Sequence, residues 1–186
     1  MRDLAIPAIE TRYAGVLFRS RTEARWARFW DALDIKWDYE PQGFVAAGIP
    51  YLPDFVAFAA LGMLWAEIKP SWQADPEGVA KWHEFAIWRP GRSRAALFAG
   101  APSLEGEYLI RGGNEESSPW EDDTQQWRPC PGGHHFDLAY PGTFRAKYAE
   151  DGCVHDGDSA RRGEDKLRRA ADAALSYRFD KNEPGA

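Results

Sequence analysis

The alternation of apolar and polar positions divides the chain into short segments of two periods. From Ser20 to Leu33 the large apolar residues Trp26, Trp30 and Leu33 recur at i, i+4 and i+7, the spacing of one helical face. Ser20 with Glu23 three positions later has the form of a capping box, which places the start of this helix. Lys36 to Tyr39 alternates and predicts a short strand ended by Glu40-Pro41, and Gly43 to Ala47 predicts another. Two apolar runs follow, Tyr51 to Phe58 and Met63 to Lys69, with Ala60-Leu61-Gly62 near the turn. Asp75-Pro76-Glu77 predicts a helix with Pro at its first position. That helix carries Val79, Trp82, Phe85 and Ile87 and stops before Pro90-Gly91. Arg94 to Phe98 and Glu107 to Ile110 predict two further strands. Arg111 to Trp127 is polar and predicts a long loop or insertion, and Gly163 to Phe179 predicts a last helix with Leu167, Ala171, Ala174 and Leu175 on one face. This order predicts an α/β fold with a central mixed sheet flanked by helices.

Two of the apolar runs contain acids. Asp54 interrupts Phe55, Val56 and Phe58, and Glu67 interrupts Leu64, Trp65, Ala66 and Ile68. Acids inside apolar strands are rarely fully buried unless paired or metal-bound. Residues i and i+2 of a strand share a face, so Glu67 and Lys69 point the same way, and a hairpin partner brings Asp54 beside them. Two carboxylates with an ammonium suit metal-assisted phosphodiester hydrolysis. The acids hold Mg²⁺ or Mn²⁺, which lowers the pKa of a bound water. The lysine orients that water or steadies charge in the transition state.

Composition narrows the class. At 186 residues, with nine Trp and ten Phe, the chain is long enough and apolar enough for one substantial core. Its start has no basic segment followed by an apolar one, and the longest apolar run, Val56 to Ala66, is shorter than a bilayer needs, so a cytoplasmic protein without a membrane segment is expected. The net charge of −6 argues mildly against a broad non-specific DNA surface. Local charge runs the other way: Arg12, Arg19, Arg21, Arg25 and Arg28 make the start basic, and Arg161, Arg162, Lys166, Arg168 and Arg169 form a second cluster. Each run alone is an ordinary solvated helix face. Beside a phosphodiester site, Arg19, Arg21 and Arg25 become candidates for binding DNA.

Pro53-Asp54 followed by Glu67-Ile68-Lys69 resembles the core signature of the PD-(D/E)xK nuclease superfamily. The longer string is more specific: Phe18-Arg19-Ser20-Arg21-Thr22-Glu23-Ala24-Arg25-Trp26-Ala27, then Tyr39-Glu40-Pro41, then Tyr51-Leu52-Pro53-Asp54-Phe55. It is similar to a bacterial and phage-associated branch of that superfamily, over roughly residues 12 to 110. The resemblance implies a restriction-endonuclease-like core and a Mg²⁺-dependent DNA endonuclease. It implies Asp54, Glu67 and the carbonyl of Ile68 as Mg²⁺ ligands, Lys69 as the group that positions water, and Glu23 as a further acid or ligand. Pro70, directly after the lysine, departs from the pattern and is expected to end the strand abruptly. Two local roles compete for Glu23: the capping box with Ser20, and an i, i+4 pair with Arg19.

Both cysteines and three of four histidines lie between Cys130 and His155. Cys130, one of the adjacent pair His134 and His135, Cys153 and His155 supply four ligands, enough for a closed tetrahedral Zn²⁺ site. Free thiols are the other outcome, and a disulfide is disfavoured in the cytoplasm. No His-x-Glu accompanies the cluster, which argues against a zinc deaminase, and two thiols are too few for a four-thiolate iron–sulfur cluster. No phosphate-cradling Gly-x₄-Gly-Lys-Ser/Thr string occurs.

The expected organisation is a nuclease core over 1–110, a polar loop or insertion over 111–127, a Cys/His zinc knuckle over 128–158, and a C-terminal helix and tail over 159–186 packing on the core. DNA is the expected partner, with a homodimer or a larger DNA-processing complex as the assembly. Three alternatives stand beside the endonuclease. They are a nuclease subunit active only in a multi-protein, transposase-like complex, a non-catalytic DNA-binding module of the same fold, and an acidic interaction protein such as an inhibitor. RNA as substrate also stays open.

Overall fold

A computed structural model describes residues 8–60, 62–71, 73–89, 93–104, 106, 108–112, 123–129, 136–139 and 157–179. Among these, three helices surround a seven-stranded mixed sheet, with two small hairpins outside it. The hairpin β1 (Thr11–Tyr13) and β2 (Val16–Phe18) leads into helix α1 (Arg21–Ala32), with Ser20 as N-cap. Strand β3 (Lys36–Tyr39) follows, then a second hairpin of β4 (Phe44–Ala46) and β5 (Ile49–Tyr51). The long pair β6 (Phe55–Ala59) and β7 (Gly62–Lys69) precedes α2 (Pro76–Trp88) and β8 (Arg94–Ala99). Strands β9 (Tyr108–Gly112), β10 (Asp123–Pro129) and β11 (Phe136–Ala139) extend the sheet, and α3 (Gly157–Ser176) closes the described chain.

The strand order is β11-β10-β9-β8-β7-β6-β3. Every neighbour is antiparallel except β7 and β8, which run parallel because α2 carries the chain back across the sheet between them. Alternate residues of the central strands feed two cores. Phe55, Leu64, Ala66, Ile68, Ala96 and Phe98 meet α1 and α3, whereas Val56, Trp65, Ala95 and Leu97 meet α2 and Tyr51. On the first face Trp26 lies 4.3 Å from the Phe98 ring and donates its indole N–H to the Gly100 carbonyl at 3.0 Å, which sets α1 against β8. No helix of the described residues is long and apolar enough to cross a membrane.

Several expectations need correction. Tyr51 to Phe58 is not one strand. Tyr51 pairs with Phe44 in the outer hairpin, and the chain breaks at Leu52-Pro53-Asp54, where proline has no N–H for a ladder, before β6 begins. The polar stretch expected to be a loop contains β10. Its side chains offer little apolar signal apart from Trp127, which is buried, and backbone pairing to β9 and β11 supplies the rest. Residues 136–139, inside the expected knuckle, form the edge strand β11. Cys130, His134, His135, Cys153 and His155 lie outside the described residues. Helix α3 begins at Gly157, six residues before the predicted Gly163, and Leu175 is 46% exposed while Ala170 takes its place in the core. Ile87 of α2 is likewise exposed, and Ala86 is buried instead.

Candidate active site

Strand register assembles the acids. Phe55 pairs with Ala66, so Asp54, one residue before β6, comes to the level of Glu67 and on the same face. The backbone completes the placement: the Ile68 N–H donates to Asp54 Oδ2 at 2.7 Å. Lys69 Nζ lies 2.8 Å from Glu67 Oε1, as the i, i+2 spacing on β7 requires. Strand β7 ends at Lys69, with Pro70 next, yet the Lys69 carbonyl still accepts from the Gly100 N–H at 2.8 Å. Asp54 and Glu67 are both buried.

Four residues missed in the sequence hold this arrangement. Tyr51 donates its hydroxyl to Glu67 Oε2 at 2.6 Å, across from Lys69. Asp75, the N-cap of α2, accepts from Lys69 Nζ at 2.8 Å with one oxygen and from the Gly78 N–H at 2.9 Å with the other. Gly78 leaves room for this arrangement, because a Cβ would lie 2.0 Å from Asp75 Oδ2 and 2.7 Å from Lys69 Nζ and both side-chain ends would have to shift. Glu40, at φ +46°, continues the β3–β6 ladder by donating its N–H to the Asp54 carbonyl at 2.8 Å, and its side chain reaches Arg19. Asp75 had a local signal as a helix cap. The other three owe their roles to tertiary neighbours.

Glu23 combines a cap with a place in the cleft. The Ser20 hydroxyl accepts from the Glu23 N–H at 3.1 Å and donates to Glu23 Oε1 at 2.7 Å. Glu23 Oε2 accepts from the Tyr39 hydroxyl at 2.7 Å and from the Arg19 backbone N–H at 3.2 Å. The reciprocal cap therefore runs to the Ser20 hydroxyl and the Arg19 amide rather than to the Ser20 amide.

The expected DNA-binding arginines separate. Arg19, directly before the cap, pairs with Asp54 Oδ1 through one terminal nitrogen, and its Nε lies 3.0 Å from Glu40 Oε1. Arg21, in the first turn of α1, lines the same cleft, and its buried Nε has no hydrogen-bond partner. Arg25, one turn further on, is half-buried with its Nε also unpartnered and does not line the cleft. In the second basic cluster, Arg161, Arg168 and Arg169 are exposed on α3, whereas Lys166 pairs with Asp34 at 2.7 Å.

These groups line a cleft of about 520 Å³ where the first turn of α1, the end of β7 and the N-cap of α2 meet. Burial and the charge of Glu67 push the Asp54 carboxyl well above the usual range, against the opposing pull of the Ile68 N–H and Arg19. Burial alone would lower the Lys69 ammonium, but Glu67 and Asp75 outweigh it and raise it. Lys69 and the Gly78 N–H hold Asp75 below the usual carboxyl range. A site with three buried acids gains from a hard cation, and its donors are all oxygens, the set that suits Mg²⁺. In the conformation described, all six oxygens of Glu23, Asp54 and Glu67 accept from donors of the chain itself. Among the described residues no group of three His, Cys, Asp or Glu side chains is already arranged around a metal position.

No family model, curated protein or solved structure matches the chain.

Proposed function

We propose that this chain is a metal-dependent DNA endonuclease with the restriction-endonuclease-like core of the PD-(D/E)xK superfamily. The observation that carries the proposal is the convergence of Asp54, Glu67 and Lys69, from the two arms of one hairpin, in one cleft beside the N-termini of two helices. Asp54, Glu67 and the Ile68 carbonyl would hold Mg²⁺ or Mn²⁺, with Glu23 as the further acid. The bound ion supplies an acidified water and neutralises phosphate charge.

The chain's own groups do the positioning. Lys69, kept protonated by Glu67 and Asp75, orients the attacking water and offsets negative charge developing on the phosphate. Tyr51 fixes the rotamer of Glu67, and Asp75 fixes that of Lys69. Arg21 and the N-terminal turn of α1, the positive end of the helix dipole, line the cleft and would favour an anionic phosphodiester there. The zinc knuckle rests on Cys130, His134, Cys153 and His155, and one zinc equivalent per purified chain is its expected signature.

A second reading has a specific observation in its favour. The acids are closed by chain donors, as expected of a nuclease subunit that acts only within a larger DNA-processing complex. A panel of duplex, single-stranded, flap, junction and RNA substrates with Mg²⁺, Mn²⁺ or chelator tests the proposal. Metal-dependent cutting of at least one DNA substrate is expected. Cutting that survives chelation contradicts it, and DNA binding without cutting by the isolated chain favours the second reading.

A further inference from the structure

We infer that Arg19 is a latch on the acid site: it pairs with Asp54 and must be displaced for a divalent cation to bind there. The inference rests on the nuclease proposal for the identity of the site and adds how that site is closed and opened.

The two ends of the latch differ. Asp54 has a side chain 5% exposed, while that of Arg19 is 58% exposed. The guanidinium thus reaches from the mouth of the cleft to a buried carboxylate without being part of the core. Asp54 makes one ion pair among the described residues, and that pair is with Arg19. Its other oxygen is fixed by the Ile68 N–H, a backbone donor that moves only with β7. Oδ1 is therefore the oxygen that becomes available when a single exposed side chain swings away.

Lys69 is a poor candidate for the same role, because it is held at both Glu67 and Asp75 and is largely buried. Arg19 also has somewhere to go. Its Nε contacts Glu40 Oε1 at 3.0 Å and the Tyr39 hydroxyl at 3.3 Å, and neither of these residues lines the cleft. Glu40 is held in place through its own backbone N–H on the Asp54 carbonyl. Release from Asp54 leaves the guanidinium tethered there with its terminal nitrogens free, a planar fork suited to a phosphate. A divalent cation and Arg19 are two cations competing for one carboxylate, so removing one strengthens binding of the other.

The test measures Mn²⁺ binding by calorimetry, without substrate, for the wild type, Arg19→Gln, and Arg12→Gln as a control for the general loss of one positive charge. Arg12 is exposed on β1 and does not line the cleft. Loss of a charge-assisted pair predicts that Arg19→Gln binds Mn²⁺ about tenfold more tightly than wild type. Arg12→Gln should stay within about twofold. A second measurement uses the wild type alone: the assigned Arg19 terminal guanidinium N–H resonance, from the nitrogen paired with Asp54, should shift on titration with Mg²⁺. Equal or weaker binding by Arg19→Gln, or a resonance that stays fixed while Mg²⁺ binds, overturns the latch and leaves the nuclease proposal standing. Failure of all three proteins to bind Mn²⁺ overturns both.

Discussion

On the β7–α2 side of the cleft, Lys69 is 14% exposed and held between Glu67 and Asp75; on the α1–β3 side, Arg19 is 58% exposed and held between Asp54 and Glu40. Each cation bridges one buried acid and one more exposed acid. They differ in how much of the fold holds them. Lys69 projects from a central strand onto a helix cap, so moving it disturbs β7 and the start of α2. Arg19 projects from the residue before a cap across the mouth of the cleft, so moving it disturbs little besides the pair itself. On the proposed function, the same charge would serve as a fixed catalytic group on one side and as a removable counter-ion on the other.

The largest effect should come from breaking the fixed side. Lys69→Met is expected to lower metal-dependent cleavage by about 100-fold or more, the range for removing one preorganised transition-state donor. Circular dichroism should show the fold intact. Loss of folding together with activity would make Lys69 structural instead.

Gly78→Ala sharpens the comparison without replacing a charged group. The added Cβ meets Asp75 and Lys69 at 2.0 and 2.7 Å, so both must shift. A loss of about 1 kcal/mol in denaturant unfolding is expected, the usual cost of disturbing an N-cap. Cleavage should fall with it, while Mn²⁺ affinity at Asp54 changes little.

Asp75→Ala removes a cap and the outer partner of Lys69, at a cost of about 1 kcal/mol. The sign of its pH dependence follows from the lowered Asp75 carboxyl. A depressed acid stabilises the folded state fully above its ordinary value of about 4 and loses that contribution as pH falls through the lowered value. The stability gap between wild type and Asp75→Ala should therefore be flat at neutral pH and narrow in acid. A gap that widens in acid would contradict the pairing.

The smallest effect belongs to Leu175 on α3. Leu175→Ser should change stability by less than about 0.5 kcal/mol, since Leu175 is exposed, whereas Leu167→Ala, in the core beside α1, should cost about 2–5 kcal/mol. Thermal melts of the two variants check the assignment of the buried face.

The difference between the two sides also shows what was legible in the chain. The fixed side was written in local periods. The i, i+2 spacing of Glu67 and Lys69, the apolar runs around them and the Asp75-Pro76 helix start all predict their neighbours within a few residues. Helix α1 and its Ser20 cap were legible for the same reason. The removable side was not, because Arg19, Glu40 and Asp54 meet only once β3, β6 and α1 are assembled. Tyr51 misled because it is apolar and precedes an apolar run, yet proline at position 53 hands it to a separate hairpin. Strand β10 was hidden because an antiparallel strand near a sheet edge needs few apolar residues once neighbouring backbone supplies its hydrogen bonds, and β11 was hidden because its four residues are a short run inside the segment read as a knuckle. Leu175 and Ile87 were read as core from hydrophobicity alone, where the small Ala170 and Ala86 occupy the helix face that meets the sheet or α1.

The most direct test of the central claim is cleavage of a DNA substrate panel by wild type and Asp54→Asn side by side, with Mg²⁺ and with chelator. Asn is nearly isosteric, so it keeps the shape of the cleft while removing the charge that would hold the ion. The account predicts Mg²⁺-dependent cutting by wild type, abolished by chelator and by Asp54→Asn in a protein that remains folded. Equal cutting by the two proteins would contradict it.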